Sequence, residues 1–528
     1  MRHLRLLLGV TLAAGLTGCQ ELTVENQNAP DRERATAQPI SAESFVASSF
    51  RTWWPVGGHD DYPSWAFSTM ADEFTSGFAD FGQLELSAQP RAAWNNSPVN
   101  ARNNVSETPW YGLYRTISSV NDALVAIDSG LVIEDADRTA RTQAVGKLMQ
   151  GISHGYLALY FDSAVVVDEK LSLDTITVIR FQPYPTVAAE AIEQLDSAIA
   201  IASRSDFALP AESWLLQAMT NDAVARLANS FAARIMVYSA RTREERAAVD
   251  WEEVIRRVDA GVTSDFAPSA QVDILWDDWK RLIARVRSGP RSDFGRPSAW
   301  IYGPADSTEA FRTWVNTPLT QRAAFQVVSK DRRVHAPGNP TAPGKYIGYQ
   351  AANIGAAARG TWRYSHYYFH RYGTGTSWQE GPQAALTVTE MDLLKAEALI
   401  RLGRPAEAVD LINKSRVAQG ELAPVTIDGP PDEPGCVPRK LDGSCGSLWD
   451  ALRYEKRMEG LGVSGVIAFL DARGWQTLPE NTILQLPIPG RELETLRLPL
   501  YTYGGPGGLS SAPAPDPERC PVALARCP

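Results

Sequence analysis

Apolar positions recur at helical spacing over most of this chain and lose that rhythm in two long stretches. Trp110, Leu113, Tyr114, Ile117 and Leu124 fall at i, i+3, i+4, i+7 and i+14, a single stripe along one helix. The same reading predicts helices near 41–52, 139–161, 186–203, 221–241, 250–261, 447–459 and 464–473. The clearest local pattern is 387–420. Thr387 and Glu390 are spaced as a capping box, in which hydroxyl and carboxylate each satisfy an open backbone donor. Met391, Leu394, Ala398 and Leu402 make the first buried stripe, and Gly403 supplies a stop. Pro405 suits the first turn of a second helix, whose stripe is Ala408, Leu411, Ile412 and Ser415, ending at Gly420. Two antiparallel helices in that span have the size of one tetratricopeptide unit, although the consensus residues of that repeat are missing.

The arrhythmic stretches are residues 55–108 and about 266–385. The first is rich in turn chemistry: Gly57-Gly58, Pro63, Gly77, Pro90, Asn95-Asn96 and Pro98. The second reads as a long excursion of loops and short strands. In and beside them lie aromatic residues outside any helical pattern, in a chain with 15 Trp and 17 Tyr. One group is Trp53, Trp54, Trp65 and Trp94; another includes Trp276, Trp279, Trp300, Tyr302, Trp314, Trp362 and Trp378. Such rings either pack down on a core or line a surface that stacks on sugar rings and other flat ligands. Residues 504–515 are rich in Gly, Pro, Ser and Ala and read as extended or mobile.

The N-terminus changes the picture. Arg2, His3 and Arg5 precede an apolar run from Leu6 to Leu16, and Leu16-Thr17-Gly18-Cys19 closes it in the order of a bacterial lipobox. The run is shorter than the roughly 20 residues a permanent span needs. The expectation is cleavage before Cys19, lipid on that cysteine, and a polar tether over residues 19–40. At 44% hydrophobic and 21% charged residues the remainder is an ordinary globular composition. Loss of residues 1–18 removes Arg2 and Arg5 and deepens the formal charge from −10 to −12. An acidic chain of this kind argues against nucleic acid as a partner. With Cys19 given to lipid, Cys436, Cys445, Cys520 and Cys527 are left. Two short loops, Cys436–Cys445 and Cys520–Cys527, would use all four, although three pairings are possible. Their spacing does not suit a zinc ribbon, and disulfides in an oxidising compartment are the better reading.

Motifs of enzymatic chemistry are missing. No HExxH, GxSxG, Walker A or CxxC pattern occurs. His366 and His370 have metal-ligand spacing, but their aromatic setting is strand-like. His59-Asp60-Asp61 and Asp72-Glu73 are acidic clusters of a kind common on solvated surfaces, and only spatial separation distinguishes a glycosidase pair. A strand for the histidines and a solvated surface for the carboxylates are the favoured readings over a metal site or catalysis.

In this setting several islands, in order, resemble the SusD/RagB family of outer-membrane nutrient-uptake lipoproteins. Trp110 to Ile117 with Val120-Asn121 resembles the family's early W-x-x-L-Y-x-x-I-x-x-x-N helix, and Ala144 to Tyr160 the next one. Asp331-Arg332-Arg333 sits where the family tends to carry an Asp-Pro-Arg-type turn. Leu393 to Ala398, Gly403, Ala408, Ile412-Asn413 and Arg416 resemble its Y-L-x-x-A-E-A…G…A…I-N-x-x-R segment. Tyr454 to Gly460, Asp471-Ala472-Arg473 and Leu486 to Pro489 with Glu492 resemble its C-terminal motifs. Two positions depart from the pattern: Tyr160-Phe161-Asp162-Ser163-Ala164 replaces a Y-G-D-V-P ending, and Leu461–Val466 lacks the G-x-R-W/F arginine.

The resemblance implies a mostly α, SusD-like fold. About four tetratricopeptide-like helix pairs form a scaffold, mainly 110–265 and 386–475, within one domain over 41–503. The large irregular insertion is 266–385, and 504–528 is a C-terminal tail carrying the second cysteine pair. It further implies a surface-exposed, lipid-anchored protein without cofactor or catalysis. Such a protein binds an oligosaccharide or peptide and delivers it, as a lid, to a SusC-like TonB-dependent transporter. By regional analogy with starch-binding members, the ligand site falls on Trp94, Asn95 and Asn96 with Trp300, Tyr302 and Trp314. Two other classes stay open: a surface glycan hydrolase with an unrecognised acidic site, and a helical-repeat scaffold that binds only protein.

Overall fold

The computed structural model describes residues 38–59, 61–77, 80–171, 179–270, 295–350, 360–371 and 381–513. Cys19 with its leader and most of the tether lie outside the described residues, as do Asp60, Trp276, Trp279, Trp378, Cys520 and Cys527. The principal helices are α1 (Pro39–Trp54), α2 (Asp61–Met70), α3 (Asn104–Asp128), α4 (Ala136–Tyr160), α5 (Tyr184–Ala202) and α6 (Asn221–Tyr238). They continue with α7 (Trp251–Asp259), α8 (Val388–Arg401), α9 (Pro405–Ala418), α10 (Leu448–Gly460) and α11 (Ile467–Gly474). All but α2 match the apolar periodicity to within a few residues. α2 falls in a stretch dominated by turn residues, and its apolar face is nevertheless buried through Ala66, Phe67 and Met70. The chain reaches it through Gly58, at φ +100°, and an extended Tyr62.

Neighbours in sequence become neighbours in space. α1 packs on α3, α3 on α4, α4 on α5, α5 on α6, α6 on α7, and α8 on α9. The α4–α5 contact is close because α4 carries glycines there. A Cβ on Gly151 would lie 2.8 Å from Leu195 and 3.0 Å from the Ala191 carbonyl. One on Gly155 would lie 2.1 Å from Ile235 on α6. The pairs α3/α4, α5/α6, α8/α9 and α10/α11 form the scaffold. The last is the least regular: α10 lies against α8 and α9, while α11 reaches across to α2.

Side-chain caps fix several helix starts. The carboxylate of Asp135 accepts from the Arg138 N–H, and the hydroxyl of Thr220 accepts from the Ala223 N–H. At α8 only half of the expected box forms. The Thr387 hydroxyl accepts from the Glu390 N–H at 3.0 Å. The Glu390 carboxylate turns away to the buried Arg234, with Nε at 2.8 Å. Ion pairing to a desolvated guanidinium outcompetes the cap. The reciprocal box is found instead at Ser447 and Asp450, opening α10.

α7 and α8 pack together although the long insertion separates them in sequence. The insertion closes at a neck, where Phe266 N–H donates to the Leu386 carbonyl and Ala385 N–H to the Phe266 carbonyl, both at 2.9 Å. Beyond the neck it builds a second hydrophobic core, including Trp300, Tyr302, Phe311, Trp314, Ile347 and Tyr367, packed on Trp65, Tyr454 and Met458. Its strands are short. β1 (His335–Ala336) and β2 (Asn339–Pro343) form an antiparallel hairpin that turns through Gly338, at φ +67°. β3 (Ile347–Tyr349) pairs antiparallel with β4 (Tyr367–Phe369), Gly348 opposite Tyr368.

Residues 504–513 are held rather than loose. Leu484 N–H donates to the Ser510 carbonyl at 3.0 Å, and Asn481 N–H to the Ala512 carbonyl at 2.8 Å. Cys436 and Cys445 form a disulfide, their Cα atoms 5.7 Å apart. Among the described residues no helix is long and apolar enough to cross a membrane.

Candidate ligand-binding face

The aromatic residues expected at a ligand site do not converge. Trp94 is 3% exposed and belongs to the main helical core, whereas Trp300 (2%), Tyr302 (0%) and Trp314 (8%) belong to the second core. Their faces meet one another: Trp300 stands edge-on to Trp314, centroids 5.7 Å apart, and Tyr302 lies 4.1 Å from Tyr367. Packed in this way, Trp300, Tyr302 and Trp314 lie inside a core rather than along an exposed arc. Rings in a segment without periodicity carry no sequence signal separating core from surface. Asn96 is buried as well and acts as a clamp. Its amide donates to the Ile488 carbonyl at 2.9 Å and the Tyr501 carbonyl at 3.0 Å, and its oxygen accepts from the Gly490 N–H at 3.1 Å. Of the six residues only Asn95 is exposed.

Two members of the expected acidic clusters are buried as well. His59 is fully buried and stacks on Trp54 at 4.0 Å, and burial pushes its imidazole down to about 3. Glu73 is also buried, and desolvation raises its carboxyl to about 7 against the pull of Arg457. Among the described residues no group of three His, Cys, Asp or Glu side chains is placed to hold a metal ion.

An open cleft of about 500 Å³ lies on the insertion, lined by Arg332, Pro337, Pro343, Lys345, His370, Arg371 and Glu421 among others. Backbone hydrogen bonds tie its walls together. Arg332 N–H donates to the Gly420 carbonyl, Lys345 N–H to the Arg332 carbonyl, and the N–H groups of His370 and Arg371 both to the Tyr346 carbonyl. Gly344 is needed for this approach, since a Cβ there would fall 2.6 Å from the Arg333 carbonyl group.

Beneath the cleft lies a buried ion network. Arg333 donates to Asp331 on one side, and to Glu455 (2.5 Å) and Glu459 (2.9 Å) of α10 on the other. Burial opposes the Arg333 charge, yet Asp331 and then Glu455 hold its guanidinium well above its usual range. Tyr346 O–H donates to Glu459 at 2.7 Å, and Arg371 donates to the Glu459 carbonyl at 2.8 Å while lying over the Tyr346 ring. Asp331 and Arg333 face inward and Arg332 between them faces the cleft, so one short turn serves both fold and surface.

A larger groove of about 710 Å³ runs between α5, α6 and α7. Its charges are largely spent within the scaffold: Arg257 pairs with Asp196 and Glu253, and Asp259 with Lys395.

No protein-family model matches the chain, and no curated protein does. Solved structures do. A SusD superfamily protein from Bacteroides vulgatus superposes with a TM-score of 0.55 at 13% identity, covering 87% of this chain and 97% of its own. Another from Parabacteroides distasonis gives 0.56 at 12% identity, covering 86% and 97%. The chain has a SusD-like fold. A SusD-like carbohydrate binding protein from Bacteroides fragilis also matches, with a TM-score of 0.54 at 16% identity over 83% of this chain and 86% of its own.

Within the SusD-like fold the sequence islands have structural work. Trp110 packs edge-on against Phe161 at 4.9 Å, and the Tyr114 hydroxyl accepts from the Val165 N–H at 2.7 Å. Arg473 donates to the carbonyls of Leu159 (3.0 Å), Leu484 (2.7 Å) and Tyr238 (2.8 Å), joining the ends of three segments. Leu486 N–H donates to the Tyr160 carbonyl at 2.8 Å, and Glu492 accepts from Tyr111 at 3.1 Å. Asp331, Glu397, Glu455 and Asp471 are all buried acceptors in ion pairs. These motifs identify a frame.

Proposed function

We propose that this protein is a surface-exposed lipoprotein that binds an oligosaccharide and presents it, as a lid, to a SusC-like TonB-dependent outer-membrane transporter. The observation that carries the reading is the SusD-like fold over most of the chain, shared with a protein described as carbohydrate binding. The layout supports it: a stacked helical frame carries an irregular insertion bearing an open polar cleft, and binding residues commonly sit on loops held by a rigid scaffold. The Leu16-Thr17-Gly18-Cys19 sequence supports attachment through lipid at Cys19. Asn95 is the member of the expected ligand set available as an exposed amide. In this reading the protein holds its cargo without altering it, and Cys520 and Cys527 pair with each other.

The test is calorimetric titration of the mature protein with a panel of oligosaccharides and peptides, with product analysis on the same samples. Saturable binding of an intact oligosaccharide is expected. Turnover of a glycan, or preference for peptides over every glycan, would overturn the reading. Palmitate labelling that survives in the wild type and vanishes in Cys19→Ser tests the anchor, and co-purification of a barrel protein from solubilised outer membranes tests the partner.

A further inference from the structure

The cleft on the insertion differs from its surroundings in charge. The whole chain carries a formal −10, yet among the described residues the cleft is lined by Arg332, Lys345 and Arg371 with Glu421 as the one carboxylate. Lys345 is offset by Glu421 at 3.0 Å, and Arg371 is engaged with Glu459 and Tyr346. Arg332 is different. It is half-buried, its backbone is pinned on both sides, and its guanidinium has no hydrogen-bond or ion-pair partner among the described residues. An unengaged guanidinium carried on a pinned backbone in a concave site is a fork for a planar or tetrahedral oxyanion, which it binds by paired charge-assisted hydrogen bonds. The buried network beneath supplies rigidity, since Arg333, the adjacent residue, is locked to two elements at once. Pro337 and Pro343 add an apolar rim, and the volume fits a few sugar units.

We propose that this cleft receives an anionic group of an oligosaccharide, the carboxylate of a uronate or the sulfate of a sulfated sugar, with Arg332 as its principal ligand. The proposal rests on the glycan-binding reading above and narrows it to acidic glycans. Lys345 and Arg371 supply the surrounding positive field, which concentrates anions locally on a chain of net negative charge.

The experiment titrates the full protein with short oligogalacturonides and with chondroitin sulfate oligosaccharides. Each is matched by a neutral counterpart, carboxyl-reduced or desulfated, so that the two sources of negative charge are separated. Wild type, Arg332→Gln and Arg332→Lys are compared, with thermal unfolding of each. Expected are binding of at least one acidic glycan that weakens with salt, and at least tenfold loss of affinity both on neutralising the glycan and in Arg332→Gln. Arg332→Lys should recover part of the loss, with unfolding midpoints unchanged. Equal affinity for acidic and neutral partners, or full affinity in Arg332→Gln, overturns the inference. If only neutral glycans bind, the inference falls and the glycan reading stands; if no glycan binds, both fall.

Discussion

Arg246 and Glu397, 151 residues apart, meet as a fully buried pair, Nε to Oε1 at 2.9 Å and Nη2 to Oε2 at 2.8 Å. Lys456 donates to Glu397 at 3.1 Å and to Asp471 at 2.7 Å, and the Trp475 N–H donates to Glu397 at 3.1 Å. Burial by itself raises the Glu397 carboxyl, but Arg246 and then Lys456 hold it well below the usual carboxylate range. Four parts of the chain are cross-linked by these charges. Glu397→Ala leaves Arg246 and Lys456 buried with fewer partners and should cost about 3–5 kcal/mol. Urea unfolding of the variant is the check, and a loss below about 0.5 kcal/mol would contradict the assignment. Adding Arg246→Met should restore part of the stability.

The buried tryptophans separate core from ligand contact. Trp300→Ala removes a ring enclosed by Phe311 and Trp314 and should destabilise by about 3–5 kcal/mol. Measured on the folded fraction at low temperature, glycan affinity should stay at the wild-type level. A large affinity loss with an unchanged melting temperature would return this ring to the binding site.

Asn96 should behave as a clamp. Asn96→Ala strips two donors from the Ile488 and Tyr501 carbonyls and one acceptor from Gly490. The expected cost is about 1–3 kcal/mol, with faster amide exchange confined to residues 486–503. Uniform exchange across the chain would show that the loss is not local.

Glu73 sets a pH trend of known sign. Burial lifts its folded value to about 7, above that of an exposed carboxyl. The native state therefore binds the proton more tightly than the unfolded one. Its stabilising contribution is complete below the unfolded value and is lost as pH rises through about 7. Glu73→Gln should remove this decline, so that the variant gains on the wild type between pH 5 and pH 8 in denaturant titrations. Parallel pH profiles for the two proteins would refute it.

The disulfide closes a short loop, Cys436 and Cys445 being nine apart in sequence. Replacing both cysteines by serine should cost about 2–3 kcal/mol and speed proteolysis between residues 421 and 447. Equal cleavage rates with and without reductant would argue against a role for the bond.

The frame was legible where periodicity is strong and opaque where contacts are distant. Helices such as α3, α8 and α9 follow from apolar spacing with Gly403 and Pro405 as punctuation. α2 was hidden because Gly57, Gly58 and Pro63 dominate its approach. The fate of Glu390 was hidden because a cap is a local pattern, whereas its guanidinium partner lies 156 residues away. Motif residues such as Asp331 and Glu455 were visible as islands, but their pairing through Arg333 spans 122 residues. For the binding face, regional analogy with starch-binding members of the resembled family points to Trp94, Trp300, Tyr302 and Trp314. Without a helical or strand period, nothing in the sequence distinguishes a ring buried against its neighbours from one turned to solvent.

The three hydrogen bonds between Phe266 and the Ala385–Leu386 pair leave the helical stack indifferent to how much chain lies between them. Length and content there can drift, provided the replacement still covers Trp65, Tyr454 and Met458 and still brings a cation to Glu455 and Glu459. A lineage that keeps its stack can rewrite what hangs from that pinch without having to refold.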